Sequence, residues 1–451
     1  MSCNLTKDKI LVFNPANGEA LKELPITTEQ DFLEKVQLAK STKDYWNSTK
    51  PQYRKKIIQK FRKAIVKRLD DFIEIICSET GKKPFEGLLE VYTSVEHMKH
   101  AENLIPVLFR KHRRSVGTLL TKKAWTELQP MGIAGIISPW NYPLILTLTP
   151  VVEALTAGNV VVLKPSEQTP LTTELLKEIW DESTGENNVL QIIYGGGDVG
   201  SMLVNSRETD VICFTGSTKI GKMIAIDCAK NLKPAILELG GKDPMIVCDD
   251  ADIDRAVNAA VWGGMSNAGQ TCISVERIFV QDKIKDSFIE KISEKIKSLS
   301  AGSETNCNLG SISVEAGLEK IKNQVQDSES NSEIFQGIGE EGKGFFYPPT
   351  VVVNPNEDSK LMQEETFGPV VSISSFTSEN DVIEKANSTG YGLSASVFSK
   401  NKNRAKIIAS KIRSGSVAIN DVMSHYGIAD LPFGGVGLSG IGRVHGEEGI
   451  K

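Results

Sequence analysis

Two short segments offer the chemistry of covalent acyl transfer. In Gly269-Gln270-Thr271-Cys272 a thiol sits beside small residues that let a substrate approach closely. A helix N-terminus or a cation nearby would lower its pKa and populate the thiolate, the nucleophilic form. Taken alone, Cys272 reads instead as a half-buried structural thiol, one of seven cysteines. In Glu238-Leu239-Gly240-Gly241-Lys242, 34 residues upstream of that thiol, a carboxylate ends a predicted strand and two glycines let a ligand reach the backbone. Burial would raise the Glu238 pKa toward the range of a general base. The alternative is a strand-end carboxylate paired with Lys242. Pro139-Trp140-Asn141-Tyr142-Pro143 is a turn stiffened by two prolines. It is either a rigid aromatic turn or a mount for Asn141, whose amide would face a developing oxyanion.

Two glycine-rich loops compete for a phosphate. Gly195-Gly196-Gly197-Asp198-Val199-Gly200 matches GxGxxG between a strand and a helix, but no acidic residue ends a strand about 20 residues further on. Gly216-Ser217-Thr218-Lys219-Ile220-Gly221 is the better site, because there a strand ends and a helix begins, with free N–H groups and hydroxyls.

The elements that must carry these residues follow from apolar patterning. The first hundred residues read as helical after a short extended start. Pro51 opens a basic-faced amphipathic helix on which Ile57, Phe61 and Ile65 recur at helical spacing. From about residue 130, short apolar runs alternate with helix-length segments: Ile133 to Ile137, Val160 to Leu163, Val189 to Tyr194, Val211 to Phe214 and Ala235 to Leu237. Runs that are apolar throughout, not alternating, are strands buried on both faces. Five of them joined by helices predict a doubly wound parallel sheet with its ligands at the carboxyl ends of the strands. A second α/β pattern starts near Pro244, with a strand over Met245 to Cys248, a helix over Ala251 to about Asn267 and a strand over Ile278 to Val280. The polar stretch 303–344 reads as surface.

Composition narrows the function classes. The 451 residues suit two or three domains, and a net charge of −5 gives no general affinity for nucleic acid or anionic membrane. The one basic cluster, Arg110 to Arg114, has no aromatic platform and reads as a solvated face. No apolar run approaches the roughly 20 residues that span a bilayer, and Met1 to Lys9 lacks the apolar core of a signal peptide. The scattered cysteines include no CxxC pair, so no structural zinc and no metal site is expected, and a reducing, cytoplasmic setting fits. Of five histidines only His97 and His100 are close, and they read as polar residues on a helix face.

In identity and order, seven segments resemble the aldehyde dehydrogenase superfamily: the Pro139 to Pro143 turn, Lys164-Pro165-Ser166-Glu167, Phe214-Thr215-Gly216-Ser217 with Gly221, Glu238 to Lys242, Gly269 to Cys272, Glu364-Glu365-Thr366-Phe367-Gly368-Pro369, and Pro432-Phe433-Gly434-Gly435. The resemblance spans nearly the whole chain. It implies a doubly wound parallel-sheet cofactor domain (residues 1–111 and 131–240), an oligomerisation hairpin (112–130, including a strand-like Leu119 to Leu128), an α/β catalytic domain (241–430) and a C-terminal segment (431–451) returning to the cofactor domain. It also implies roles. Cys272 is the nucleophile, Asn141 and the Cys272 backbone N–H hold the oxyanion, and Glu238 activates the water that hydrolyses a thioester. Lys164 and Glu167 hold the adenosine ribose of NAD, with NADP as the second choice, and Ser217 beside Gly216 holds a phosphate. Glu365 holds the nicotinamide ribose, with Phe367 beside the ring, and Trp140 and Leu239 also bind the cofactor. The implied partners are a small aldehyde and further copies of the chain, as a homodimer or homotetramer.

A CoA-acylating dehydrogenase is the alternative within the superfamily, and Glu238 argues against it because that branch lacks the base. A protein that keeps the fold without catalysis is the alternative outside it, and the intact Cys272, Glu238 and Asn141 argue against that. The chain ends at Lys451, where the family continues with a segment for assembly and the substrate entrance, so an incomplete chain is expected. Ile273 and Ser274 follow the nucleophile, so the neighbouring redox-switch cysteine of some semialdehyde dehydrogenases is missing. The substrate stays open. The glycine-rich tail from Gly434 to Gly446 resembles the branch acting on medium-chain and aromatic aldehydes, and Cys272 to Arg277 resembles some succinate-semialdehyde dehydrogenases.

Overall fold

The computed structural model describes residues 3–328 and 332–451. It opens with a three-stranded antiparallel sheet, β1 (Cys3–Leu5), β2 (Lys9–Phe13) and β3 (Ala20–Pro25). Four helices follow: α1 (Glu29–Ser48), α2 (Pro51–Lys67), α3 (Leu69–Thr80) and α4 (Pro84–Leu108). Helix α2 has Pro51 in its first turn and buries Ile57, Ile58, Phe61 and Ile65. Arg54, on its otherwise solvated basic side, is buried too, because its guanidinium donates to Thr156 O (3.0 Å) and Thr49 O (2.7 Å). A short hairpin, β4 (His112–Arg114) with β5 (Ala124–Thr126), comes next. The extended segment expected from Leu119 is shorter, since Leu119 to Lys122 close into turns.

The predicted parallel sheet is present. Its strands β6 (Ile133–Ile137), β7 (Val160–Lys164), β8 (Leu190–Ile192), β9 (Val211–Thr215) and β10 (Ala235–Glu238) run in the order β10-β9-β6-β7-β8. Strands β6 and β7 are buried at every position, as their unbroken apolar sequences require. Helices α5 (Ile145–Ala157), α6 (Leu171–Thr184), α7 (Gly197–Asn205) and α8 (Thr218–Lys230) make the crossovers. The strand order reverses between β6 and β9, and this switch point is where a parallel sheet opens a crevice at its carboxyl ends.

A second sheet has the order β14-β16-β17-β12-β11-β18-β19. Its strands are β11 (Asp243–Val247), β12 (Val275–Gln281), β14 (Glu333–Gln336), β16 (Thr350–Val353), β17 (Val370–Phe376), β18 (Ser394–Phe398) and β19 (Ser416–Ile419), all parallel except the edge strand β14. A two-stranded pair, β13 (Ser300–Ala301) with β15 (Ile338–Gly339), flanks it. Helix α9 (Ile253–Met265) and a 3-10 turn, Ser266–Gly269, lead to the nucleophile segment. The stretch 303–344 is not all surface: its helix Glu315–Ser328 buries Leu318, Ile321 and Val325, and with them the polar Gln324 and Ser328; residues 329–331 lie outside the described ones. Finally β20 (Gly440–Ile441) pairs antiparallel with β10, so the C-terminal segment joins the first sheet beside Glu238. Among the described residues no helix is long and apolar enough to cross a membrane.

Candidate active site

Cys272 stands between the two sheets. The chain reaches it through three consecutive left-handed residues, Asn267 (φ 53°), Ala268 (φ 52°) and Gly269 (φ 71°). Gly269 is obligatory, because a Cβ there would lie 1.9 Å from Gly368 O. The turn is held from inside. Asn267 Nδ2 donates to Asn141 O (3.0 Å) and Gln270 O (3.1 Å), and the Gln270 amide bonds Asn267 O (3.0 Å), Ser311 O (3.2 Å) and Ser313 N (2.8 Å).

The thiol is not activated by its resting surroundings. Burial pushes the Cys272 pKa up, and the carboxylates of Asp243, Glu365 and Glu238 push the same way; the Ile273 N–H opposes them only weakly. The sequence led us to expect a lowered pKa from a helix N-terminus or a cation. The structure corrects this, since the charges facing the sulfur are acidic. The thiol is therefore protonated at rest, and a base or a cationic ligand must draw off its proton.

Asn141 is buried at the end of β6 and donates through Nδ2 to Gln270 O (3.0 Å), which leaves its second amide hydrogen for a ligand. The Cys272 N–H has no acceptor among the described residues. The Asn141 loop is anchored by residues the sequence reading missed. Lys82, fully buried, donates to Asn141 O (2.9 Å) and to Glu90 Oε2 (2.7 Å), and Glu90 Oε1 accepts from Leu144 N (2.8 Å). No local signal marks this pair, because Lys82 and Glu90 look like surface charges until α4 packs against α5.

Glu238 ends β10, 5% exposed, with neither carboxylate oxygen hydrogen-bonded. Burial raises its pKa well above the usual carboxylate range, and Glu153 adds to this while Arg443 opposes it. Pairing with Lys242 is excluded. Lys242 Nζ instead meets Glu276 Oε2 at 2.5 Å and Thr366 Oγ1 at 2.9 Å, and Glu276 Oε1 accepts from Thr366 N and Phe367 N, both at 3.0 Å. This buried pair thus shapes the Glu365-Phe367 segment, with Phe367 at φ 58°.

Three cavities meet at Cys272. One, of about 240 Å³, lies at the switch point and is lined by Trp140, Asn141, Gly216, Ser217, Leu239, Glu365 and Phe367, together with Glu238. Ser217 caps α8, its hydroxyl accepting from Ile220 N, and Gly221 is bare because a Cβ would strike Leu239 at 2.4 Å. Glu365 accepts from Gly241 N (3.1 Å), and burial lifts its pKa to about 7. The Trp140 and Phe367 rings meet edge to face at 5.5 Å. Lys164 and Glu167 lie one strand away, at the end of β7, outside this cavity, with Lys164 Nζ 3.3 Å from Glu167 Oε2. The Gly195 to Gly200 loop is elsewhere too: Tyr194 and Thr27 exchange hydrogen bonds of 2.8 Å that bind it to the N-terminal sheet.

The second cavity, of about 300 Å³, opens on the other side of Cys272 between α4 and the 421–427 loop. The third, of about 20 Å³, lies between Glu238, Cys272, Thr149 and His445. Behind it His445 stacks edge to face on His97 at 4.4 Å, and His97 Nε2 lies 3.1 Å from Tyr426 O. His97 is therefore buried in an aromatic cluster and not on a solvated helix face. No group of His, Cys, Asp or Glu among the described residues is placed to hold a metal.

Known proteins share this fold over nearly the whole chain. The model of the aldehyde dehydrogenase family matches residues 4–451. A betaine aldehyde dehydrogenase of Vibrio vulnificus is 33% identical, with 98% of this chain and 92% of the relative covered. A probable NADP(+) succinate-semialdehyde dehydrogenase of Sinorhizobium fredii is also 33% identical, over 99% of this chain and 91% of its own. A Mycobacterium tuberculosis aldehyde dehydrogenase complexed with NAD+ superposes with a TM-score of 0.94 at 31% identity, covering 99% and 93% of the two chains. An NADP dependent enzyme of E. coli superposes at 0.93, with 31% identity and coverage of 98% and 92%. Sequence and fold agree from end to end, and the chain belongs to the aldehyde dehydrogenase family.

Proposed function

We propose that the chain oxidises an aldehyde to a carboxylic acid through a thioester on Cys272, with NAD preferred over NADP. The observation that carries this reading is the meeting of three cavities at one thiol: a wide one for the aldehyde, a cleft at the switch point for the dinucleotide, and one of about 20 Å³, the size of a single water, beside Glu238.

The chain's residues divide the work. The Cys272 thiolate attacks the aldehyde carbon, and the second Asn141 amide hydrogen with the Cys272 N–H takes the oxyanion. The adduct collapses to the thioester as hydride leaves, for which a bound oxidised nicotinamide would supply the acceptor. Glu238 then takes a proton from a water that attacks the thioester carbon, and the adduct expels the Cys272 sulfur, which leaves as the thiol with the proton that Glu238 returns. Residues fitted to the dinucleotide are present. Gly240 leaves room for the Glu365 carboxylate, which a Cβ would meet at 2.6 Å, and Glu365 lines the cleft, where it would accept from a ribose diol. Ser217 would hold a phosphate at the N-terminus of α8, and Lys164 with Glu167 the adenosine ribose.

We read residues 1–111 with 131–240 as the cofactor domain, 241–430 as the catalytic domain and 112–130 as an assembly hairpin, with 431–451 returning to the first sheet. Leu120 (86% exposed) and Trp125 (56%) on the hairpin support a homodimer or homotetramer, and the free, scattered cysteines among the described residues support a cytoplasmic setting. The deciding experiment is Cys272→Ala. The folded variant should bind NAD yet give no NADH from any aldehyde, and measurable turnover would sink the covalent mechanism.

A further inference from the structure

The charge lining the wide cavity decides which aldehydes it admits. Its wall is mostly apolar, with Leu89, Ile145, Trp262 and Met423 among its residues, and its only ionisable carboxylates are Glu86, Glu90 and Asp421. No lysine, arginine or histidine lines it among the described residues. Nearby cations point elsewhere. Lys82 is bound to Glu90 and Asn141 O, and Lys83 Nζ donates to Gly302 O (2.7 Å) and Glu304 O (2.8 Å). Arg277, the cation of the segment that follows the nucleophile, donates to Lys242 O (3.0 Å), Lys385 O (3.0 Å) and Ala386 O (2.9 Å), which places it in the second sheet and outside the cavity.

An aldehyde bearing a carboxylate would therefore shed its hydration among three acidic side chains and find no counter-ion. A cationic aldehyde is served little better. Glu86 accepts from Asn267 N (2.6 Å) and Lys83 N (3.0 Å), Glu90 from Leu144 N and Lys82, and Asp421 from Val422 N (2.7 Å) and Ser424 Oγ (2.9 Å). Every one of these carboxylate oxygens already has a protein donor. Two of the three aromatic rings in the wall are already engaged: Lys82 Nζ sits 4.1 Å from the Tyr142 ring centroid, and Tyr426 packs against His97, Phe433 and His445, which leaves the half-exposed Trp262 as the one open ring among the described lining residues. At the mouth, α4 continues the apolar surface through Phe85 (63% exposed), Leu88 (41%) and Tyr92 (61%).

We infer that the cavity selects uncharged aldehydes with an apolar aliphatic or aromatic body and rejects carboxylate-bearing semialdehydes. This rests on the dehydrogenase reading above. The test is kcat/KM, from NADH formation by the full chain, for hexanal, benzaldehyde, succinate semialdehyde and betaine aldehyde. Hexanal or benzaldehyde should exceed succinate semialdehyde by roughly 100-fold or more, the scale of an unpaired buried charge, and should also exceed betaine aldehyde. Leu89→Arg, at a partly exposed wall position, should narrow the gap to succinate semialdehyde by at least about tenfold by supplying the missing counter-ion. Succinate semialdehyde within tenfold of hexanal, a preference for betaine aldehyde, or no change of ratio in Leu89→Arg would each overturn the inference. No NADH from any aldehyde, with NAD still bound, would instead overturn the dehydrogenase reading.

Discussion

Glu238→Gln separates the two half-reactions. The glutamine is nearly isosteric and can hold a water but cannot take its proton. Loss of a positioned general base costs about 10²–10⁴ in rate, or about 2.7–5.4 kcal/mol at 1.36 kcal/mol per tenfold. The geometry argues for the upper half of that range. The cavity beside Glu238 is about 20 Å³, and its other lining groups include Leu239, Phe433 and Val444. His445 also lines it, with both ring nitrogens unbonded, but burial lowers its pKa well below the usual value and makes it a poor substitute base. Glu153 lines a different cavity. Stopped-flow mixing of the variant with excess aldehyde and NAD should show a burst of up to about one NADH per site, then steady turnover slower by about 10³-fold. Mass spectrometry of the quenched protein should find the acyl group on the peptide carrying Cys272. The raised pKa of Glu238 adds a pH signature. The carboxyl keeps its proton to higher pH than an ordinary carboxylate, so deacylation in the unmutated protein should quicken as pH rises, and the variant should lose that dependence. Full steady-state activity in the variant would remove Glu238 from the mechanism. A folded, NAD-binding variant with neither burst nor turnover would move its role forward, to deprotonation of Cys272.

Lys82→Met should lower both stability and kcat, because it strands Glu90 and frees the Asn141 loop; breaking a buried pair costs about 3–5 kcal/mol, readable by denaturant unfolding, and an unchanged kcat would show that the anchor does not position Asn141. Glu167→Ser should raise kcat/KM for NADP relative to NAD, because a carboxylate repels a 2′-phosphate; an unmutated protein that already favours NADP would refute the assignment of Glu167. Burial raises the Glu153 pKa to about 8. A carboxyl raised in the folded state is stabilising below its unfolded pKa and loses that stability as pH rises through about 8. The difference, bounded above by about 5 kcal/mol, should therefore make Glu153→Gln gain melting temperature over the unmutated protein from pH 6 to pH 8.5, and a constant difference across that range would count against the shift.

Much of the machinery was legible locally. Unbroken apolar strands forced a parallel sheet, since only burial on both faces tolerates them. A parallel sheet forced its ligands to the strand ends, where Asn141, Ser217 and Glu238 stand. Gly269 before Cys272 read as room for a substrate, and only the structure shows that it serves a left-handed turn pressed against Gly368 O. Charge partners were not legible. Lys242 follows Glu238 by four residues yet pairs with Glu276 on β12, and Lys82 looks like solvent-facing charge until α4 closes over it. The sequence allowed a helix N-terminus or a cation beside Cys272, whereas the charges that reach it are acidic, because Asp243, Glu365 and Glu238 come from three separate strand ends and loops. The reason is the range of the forces. Backbone conformation and burial pattern are written in neighbouring residues, whereas an ion pair or a pKa depends on whichever groups the packing of two sheets brings within a few ångströms in a low-dielectric interior.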